Sequence, residues 1–292
     1  MFIHRFLLCL LLSVGALVPA WAQNMTKKQS NQLSITTTYV ELSGFPEFDA
    51  AFKAAIQRYW TATPFQFTTP DALEKIVSDE AISMLRIVET HGSRASIITE
   101  YTYLAVLLGG KNKMSRYTTD DIIGRARFWA SGVEQYVKET DYRVDFLVKE
   151  LNDQLLRKRE EYAGQKPGPK ENPALLKSKT LLVPKEPLAA QVSAPVTNKK
   201  MDAFTLDAWE GYQSAYKILP LADIKIILAD TSSANASYCL FLPQVGIYRT
   251  FNIYDLETRK LIYEFWVGNN KTNPPITKKD LAKLSEAVAG KK

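Results

Sequence analysis

His91 is the one histidine downstream of residue 22, so the chain offers a single imidazole base there and no two-histidine metal site. Ser93 and Ser96 follow it and Glu89 precedes it, the residue types of a serine-hydrolase relay. Residues two apart on a turn seldom reach the nucleophile and base geometry unless a third element orients them, and His91-Gly92-Ser93 reads as a turn with an exposed histidine. Gly109-Gly110-Lys111 shares its glycine–lysine join with phosphate-binding loops. It lacks both the earlier glycine and the Ser or Thr after the lysine, and a tight turn is the simpler reading. Asp230-Thr231-Ser232-Ser233-Ala234-Asn235 carries oxygens suited to a hard cation, but Ala234 breaks the Asp-x-Ser-x-Ser spacing and leaves a polar turn.

Asp120-Asp121 and the pair Asp202 and Asp207 stand at expected helix starts, where negative charge offsets the helix dipole, so they receive no acid–base role. Asn24-Met25-Thr26, Asn235-Ala236-Ser237 and Asn270-Lys271-Thr272 match the glycosylation sequon, which matters only in a eukaryotic source. Tyr59, Trp60, Trp129, Trp209, Tyr212, Tyr216 and Trp266 could build a carbohydrate platform, yet their helical or strand spacing favours core packing. No catalytic, cofactor-binding or metal-binding residue is assigned and no cofactor is expected. His91, Trp60 and Trp209 stand as the ligand or interface candidates.

The elements around these residues alternate. Ile35 to Leu42 is rich in β-branched residues and reads as a strand. From Pro46, the residues Phe48, Phe52, Ile56, Tyr59 and Trp60 recur at helical spacing. Phe65 to Thr68 predicts a strand, Thr69-Pro70-Asp71 opens a second helix, and Ala81 to Val88 is an apolar strand. Ala95 to Leu108 supplies one or two more strands. Thr119 is a fitting N-cap for a long helix or helical hairpin towards Tyr162, carrying Ile122, Ala126, Trp129, Val133, Tyr136, Val144, Leu147, Leu151 and Leu155. A packing helix between domains is the expectation, ahead of an intermolecular coiled coil, because the apolar stripe is interrupted.

The second half parallels the first. Tyr59-Trp60-Thr61-Ala62-Thr63-Pro64-Phe65 is similar in pattern to Ala215-Tyr216-Lys217-Ile218-Leu219-Pro220-Leu221, an offset of 156 positions that also sets Ala81 to Leu85 on Ser237 to Phe241. Thr180 to Val183 answers the first strand, and Thr205 to Tyr216 the first helix. Ala222 to Leu228 reads as a short second helix, Tyr248 to Val267 as a hairpin with a turn at Asp255 to Lys260, and Lys278 to Ala289 as a last helix capped by Thr277. Such alternation predicts an α/β (α+β) fold of two β-α-β-α-β repeats, their mixed sheets covered by helices and joined by a long helix.

Arg5, the apolar run Phe6 to Val18 and Ala20-Trp21-Ala22 have the form of a secretory leader, cleaved near Ala22 and Gln23, with too short a run to span a bilayer. Cys9 lies inside that run with Leu10 to Leu12 still to follow, which ill suits lipidation. Cys239 is then the one remaining cysteine, either a core thiol on a buried strand or a partner for a second chain. With 46% hydrophobic and 11% aromatic residues, two compact cores are expected. The expected organisation is a leader over 1–22, a flexible arm over 23–34, a first α/β domain over 35–118, the connecting helix over 119–163, a linker over 164–176 and a second α/β domain over 177–292. The formal charge of +6 is spread among interspersed acids and bases, a pattern of solvated surface that does not point to nucleic acid.

The leader, the repeated element order and the phrases Tyr59-Trp60-x-x-x-Pro64-Phe65 and Tyr238-x-Leu240-Phe241-Leu242-Pro243 resemble uncharacterised secreted proteins of Bacteroidota-type bacteria. The resemblance implies an envelope location and a duplicated α/β fold, and brings no catalytic residues. A more distant similarity, of element order alone, is to the small α/β domains of periplasmic assembly proteins such as the amino-terminal domain of TolB. The expected function is an exported, non-enzymatic periplasmic or secreted protein, without a transmembrane anchor, that binds an envelope protein or polymer through paired α/β domains. The alternatives are an exported hydrolase using acidic residues or His91, which would need convergent carboxylates at the domain junction, and a small-ligand binder in the cleft between the repeats, lined by Trp60 or Trp209. Oligomeric state is left open.

Overall fold

The computed structural model describes residues 25–94, 97–128, 143–166, 171–185, 206–230, 236–242, 248–268 and 278–290. Thr26 starts the first element with a capping box, its hydroxyl accepting from the Gln29 N–H while the Gln29 side chain accepts from the Thr26 N–H. Helix α1 (Lys27–Ser34) follows. Met25 and Leu33 are its buried anchors, so the expected flexible arm is a docked helix. It is polar elsewhere, which hides it from a search for apolar periodicity.

Strand β1 (Thr37–Glu41), helix α2 (Pro46–Tyr59), strand β2 (Phe65–Thr68), helix α3 (Pro70–Ile76) and strand β3 (Ile82–Arg94) occur where alternation and caps predict them. β1 pairs in parallel with both β2 and β3. One crossover steps out to β2 and the next returns past β1. Right-handed connections therefore put α2 and α3 on opposite faces, with Phe48 and Phe52 packing one core and Leu73 another. Strands β4 (Ile97–Leu108) and β5 (Ile122–Arg127) add antiparallel neighbours and complete the order β2-β1-β3-β4-β5.

Helix α4 (Val144–Tyr162) lies between the two sheets. Its Leu151 and Leu155 reach Gly124 of β5, where an added Cβ would sit 3.1 and 2.7 Å from their methyl groups. The expected long helix from Thr119 is overturned. Thr119–Asp121 is a 3-10 turn and Ile122–Arg127 a strand, because paired β-branched residues fill the open edge of β4. The expected linker over 164–176 also changes character. Pro173–Lys177 forms a 3-10 turn that buries Leu176 in the second core.

The second sheet contains β6 (Thr180–Pro184), β7 (Tyr216–Leu219), β8 (Ala236–Leu242), β9 (Tyr248–Asp255) and β10 (Leu261–Gly268). Its order is β7-β6-β8-β9-β10, with β6 parallel to β7 and β8 and the later pairs antiparallel, the same order and senses as the first sheet. A constant offset of 156 does not superpose the elements, since Pro64 precedes β2 whereas Pro220 follows β7. The helix expected over Thr205 to Tyr216 is a 3-10 turn at Leu206–Gly211 followed by β7. Helix α5 (Leu221–Ala229) faces α4, and helix α6 (Lys278–Ala289) covers the far side of the sheet. Thr277, Trp129, Asp202, Ser96 and the leader lie outside the described residues. Among the described residues no helix is long and apolar enough to cross a membrane.

Candidate functional site

The sequence candidates do not converge. His91 lies within β3, in register with Glu100 of β4, so the expected turn is continuous strand. Past the pairings with β1 and β5, the segments Thr90–Arg94 and Ile97–Tyr101 pair with each other among the described residues, forming a two-stranded ribbon. His91, Gly92 and Ser93 stand in register with Glu100, Thr99 and Ile98, and this backbone pairing makes the stretch strand.

Trp60 ends α2 and is buried, its indole N–H donating to the Thr63 hydroxyl at 3.1 Å. Thr63 continues a buried hydroxyl chain through Thr38 and Ser83 to Thr36, with the Thr38–Ser83 link at 2.7 Å and Ser83–Thr36 at 2.9 Å. Trp209 is buried in the other core against Tyr216, ring centroids 5.5 Å apart. Neither indole offers a face to solvent, and α4 occupies the space where a cleft between the sheets was expected. Burial of so large an apolar surface outweighs its use as a platform.

Gly109-Gly110-Lys111 closes the end of β4. A Cβ at Gly109 would lie 2.0 Å from the Asp79 carbonyl oxygen, and Gly110 has φ +113°, so both positions require glycine. An open cavity of about 340 Å³ is lined by Gly110, Lys111, Asn112 and Arg116. The donors a phosphate loop would present are already spent: the Gly110 N–H bonds Val77 O at 3.0 Å, and the Lys111 N–H bonds the Tyr117 hydroxyl at 3.2 Å. Lys111 Nζ is held by Asp121 Oδ2 at 2.6 Å. Burial alone would raise the Asp121 pKa, but Lys111 and the N–H and hydroxyl of Thr118 hold it below the usual aspartate value. Asp121 is a turn cap.

At the junction of α4 and the second sheet, the Tyr254 hydroxyl donates to Glu150 Oε2 at 2.7 Å and accepts from Asn252 Nδ2 at 3.2 Å. Burial first, then the Glu150 carboxylate, pushes the Tyr254 pKa well above its ordinary value. Arg259, buried in the β9–β10 turn, donates through Nη2 to Leu228 O at 2.8 Å and stacks 5.1 Å from the Phe146 ring centroid. Its Nε is 3.8 Å from Asp145. Asp145 is raised by burial, with Arg259 and Arg58 opposing. The group joins the second sheet to α4.

The face of the first sheet that shares a buried cluster with Leu73 of α3 carries charged residues among its apolar ones. In register, Arg86 of β3, Ala105 of β4 and Arg125 of β5 form one row, with Tyr103 and Arg127 in the next. Arg86 Nη2 donates to Glu41 Oε1 at 3.2 Å, and Arg125 lies 4.7 Å from the Tyr103 ring centroid. Burial raises the Glu41 pKa although Arg86 opposes the shift. This face escaped the sequence reading because it needs three strands brought together. A signal was present in the alternation of Arg125 and Arg127 with Gly124 and Ala126, which is strand spacing.

Among the described residues no group of three His, Cys, Asp or Glu side chains is placed to hold a metal ion. No protein-family model, curated protein or solved structure matches the chain.

Proposed function

We propose that the chain is an exported, non-enzymatic envelope protein that binds a protein or envelope polymer through its paired α/β units, with the half-buried arginines of its first sheet as contact residues. The observation that carries this reading is that row of Arg86, Ala105 and Arg125, three residues brought together across adjacent strands. Arginines disposed in this way suit recognition of carboxylate or phosphate groups better than any described constellation suits catalysis. The secretory form of residues 1–22 supports an envelope location. The matching strand order of the two sheets supports treating them as paired units.

The test is affinity capture from cross-linked native envelopes followed by mass spectrometry, with the Arg125→Glu variant alongside. A partner retained by the native chain and lost from the variant supports the reading. Absence of any partner or polymer above background overturns it.

A further inference from the structure

Arg259 stands where a hairpin turn ordinarily calls for another residue. A left-handed position at the end of such a turn favours glycine, which has no Cβ to clash. Arg259 holds φ +57° there, and among the described residues it is the one non-glycine with a positive φ. A backbone of this kind persists where its surroundings enforce it. We propose that Arg259 is a latch: its side chain, inserted among α2, α4 and α5, fastens the second sheet to the helices of the first and makes the two halves of the chain one cooperative unit.

The turn closes through the Asp255 N–H, which donates to the Lys260 carbonyl at 2.9 Å, and through Asp255 Oδ1, which accepts from the Thr258 N–H at 2.8 Å. Glu257, Thr258 and Lys260 are exposed, whereas Arg259 is 6% exposed. With those neighbours facing water, Arg259 sends its side chain inward.

Inside, both its donors and its π face are used. Nη1 donates to the Leu256 carbonyl of its own turn, and Nη2 to the Leu228 carbonyl at 2.8 Å. Leu228 lies in the last turn of α5, where carbonyls lack helical partners and a cation is favoured. The Phe146 ring centroid is 5.1 Å from the guanidinium carbon, and Asp145 Oδ2 is 3.8 Å from Nε. Both residues belong to the first turn of α4. Tyr59, at the end of α2, shares this group: burial first, then the Asp145 charge, raises its pKa, while Arg259 and Arg58 oppose the shift. Burying a guanidinium is costly unless its donors are met, so the side chain holds its place only while these elements stay together.

The described elements pass from α4 to the second sheet once along the chain, so the covalent structure leaves the seating of the two halves to side-chain contacts. The apolar cluster that Leu182, Ile224, Leu228 and Leu256 share with Phe146 attracts without direction. Hydrogen bonds and a planar stack demand particular angles. Arg259 supplies these at one point of the seam, and the Tyr254 hydroxyl on Glu150 at 2.7 Å supplies them at a second.

The test is urea unfolding of the full chain, with pulsed hydrogen exchange and mass spectrometry reading β1 and β3 of the first sheet and β6 and β7 of the second. The native chain should lose both sets of protection at one midpoint. Arg259→Gly suits the left-handed backbone and removes the side chain, so it should part the two midpoints by about 0.5 M or more. Arg259→Lys keeps the charge but loses the two-pronged donor, and should part them by less. Glu257→Ala, at an exposed neighbour, should keep a single midpoint. A shared midpoint for Arg259→Gly at or above the native one makes Arg259 an ordinary turn residue and overturns the latch. So does a shared midpoint lowered equally in both sheets, which is general stabilisation, or a native chain that already shows two midpoints. Equal parting by Glu257→Ala overturns it too, because any loosening of the turn would then suffice. If circular dichroism shows Arg259→Gly unfolded, Arg259→Lys decides, and a shared midpoint for that variant overturns the latch.

Discussion

Replacing Asn152 with leucine should destabilise the chain by about 2 to 4 kcal/mol. Asn152 lies on the buried side of α4, 1% exposed. Its Oδ1 accepts from the backbone N–H groups of Thr61 at 2.8 Å and Ala62 at 2.9 Å, in the turn between α2 and β2. Seven residues on, Arg159 Nη2 donates to the Ala62 carbonyl at 2.7 Å, so two side chains of one helix hold both senses of the same turn. Leucine has nearly the same shape but accepts nothing. The Ala62 N–H, buried and left unpaired, costs about 1 to 3 kcal/mol, and the Thr61 N–H, on an exposed residue that can turn to water, adds about 1 kcal/mol, which yields the stated range. In urea, with m near 3 kcal/mol per molar, the unfolding midpoint should fall by about 1 M at unchanged m. Asp153→Ala, next along the helix, removes one member of a partly exposed ion pair with Lys149 and should change stability by no more than about 0.5 kcal/mol. If Asn152→Leu unfolds within that same margin of the native chain, the reasoning that α4 clamps this turn is wrong.

Gly109→Ala should lower stability by about 2 kcal/mol or more, since the new Cβ would stand 2.0 Å from a backbone oxygen, and an unchanged thermal midpoint would count against the close packing of this turn. Burial alone would raise the Asp255 pKa, but Lys179 and the N–H and hydroxyl of Thr258 hold it below its ordinary 3.8. Its stabilising contribution is therefore present above that value and lost as pH falls through the folded pKa, so Asp255→Asn should flatten the loss of stability below about pH 4, read by urea midpoints across an acid series. Tyr254 is shifted the other way. Its contribution is intact below the ordinary value of 10.0 and is lost as pH rises beyond it, so Tyr254→Phe should reduce the alkaline fall in stability, and an unaltered alkaline limb would contradict the buried hydroxyl.

Sequence reading succeeded wherever one segment carried its own pattern. The Phe48, Phe52 and Ile56 spacing located α2, Thr69 and Pro70 located α3, and the turn at Asp255 to Lys260 located the β9–β10 hairpin. It failed where a neighbour decided the outcome. Ile122 and Ala126 fit a helical stripe, yet they belong to a strand because β4 presents an open edge whose backbone groups pair with this segment. α1 has two buried anchors in a polar stretch, and the Thr26–Gln29 capping box was its one strong local signal. His91-Gly92-Ser93 contains turn residues, but backbone pairing with Ile98 to Glu100 makes it strand.

By itself, then, the amino-acid sequence determined the α/β class and most element types, since local periodicity and capping reflect the chain's own steric and hydrophobic preferences. Tertiary structure alone decided what each element touches. It sent Trp60 and Trp209 into separate cores, set Asn152 against a turn 90 residues away, and aligned Arg86, Ala105 and Arg125 across three strands. Those juxtapositions follow from sheet register and helix packing between distant segments, which no local spacing encodes.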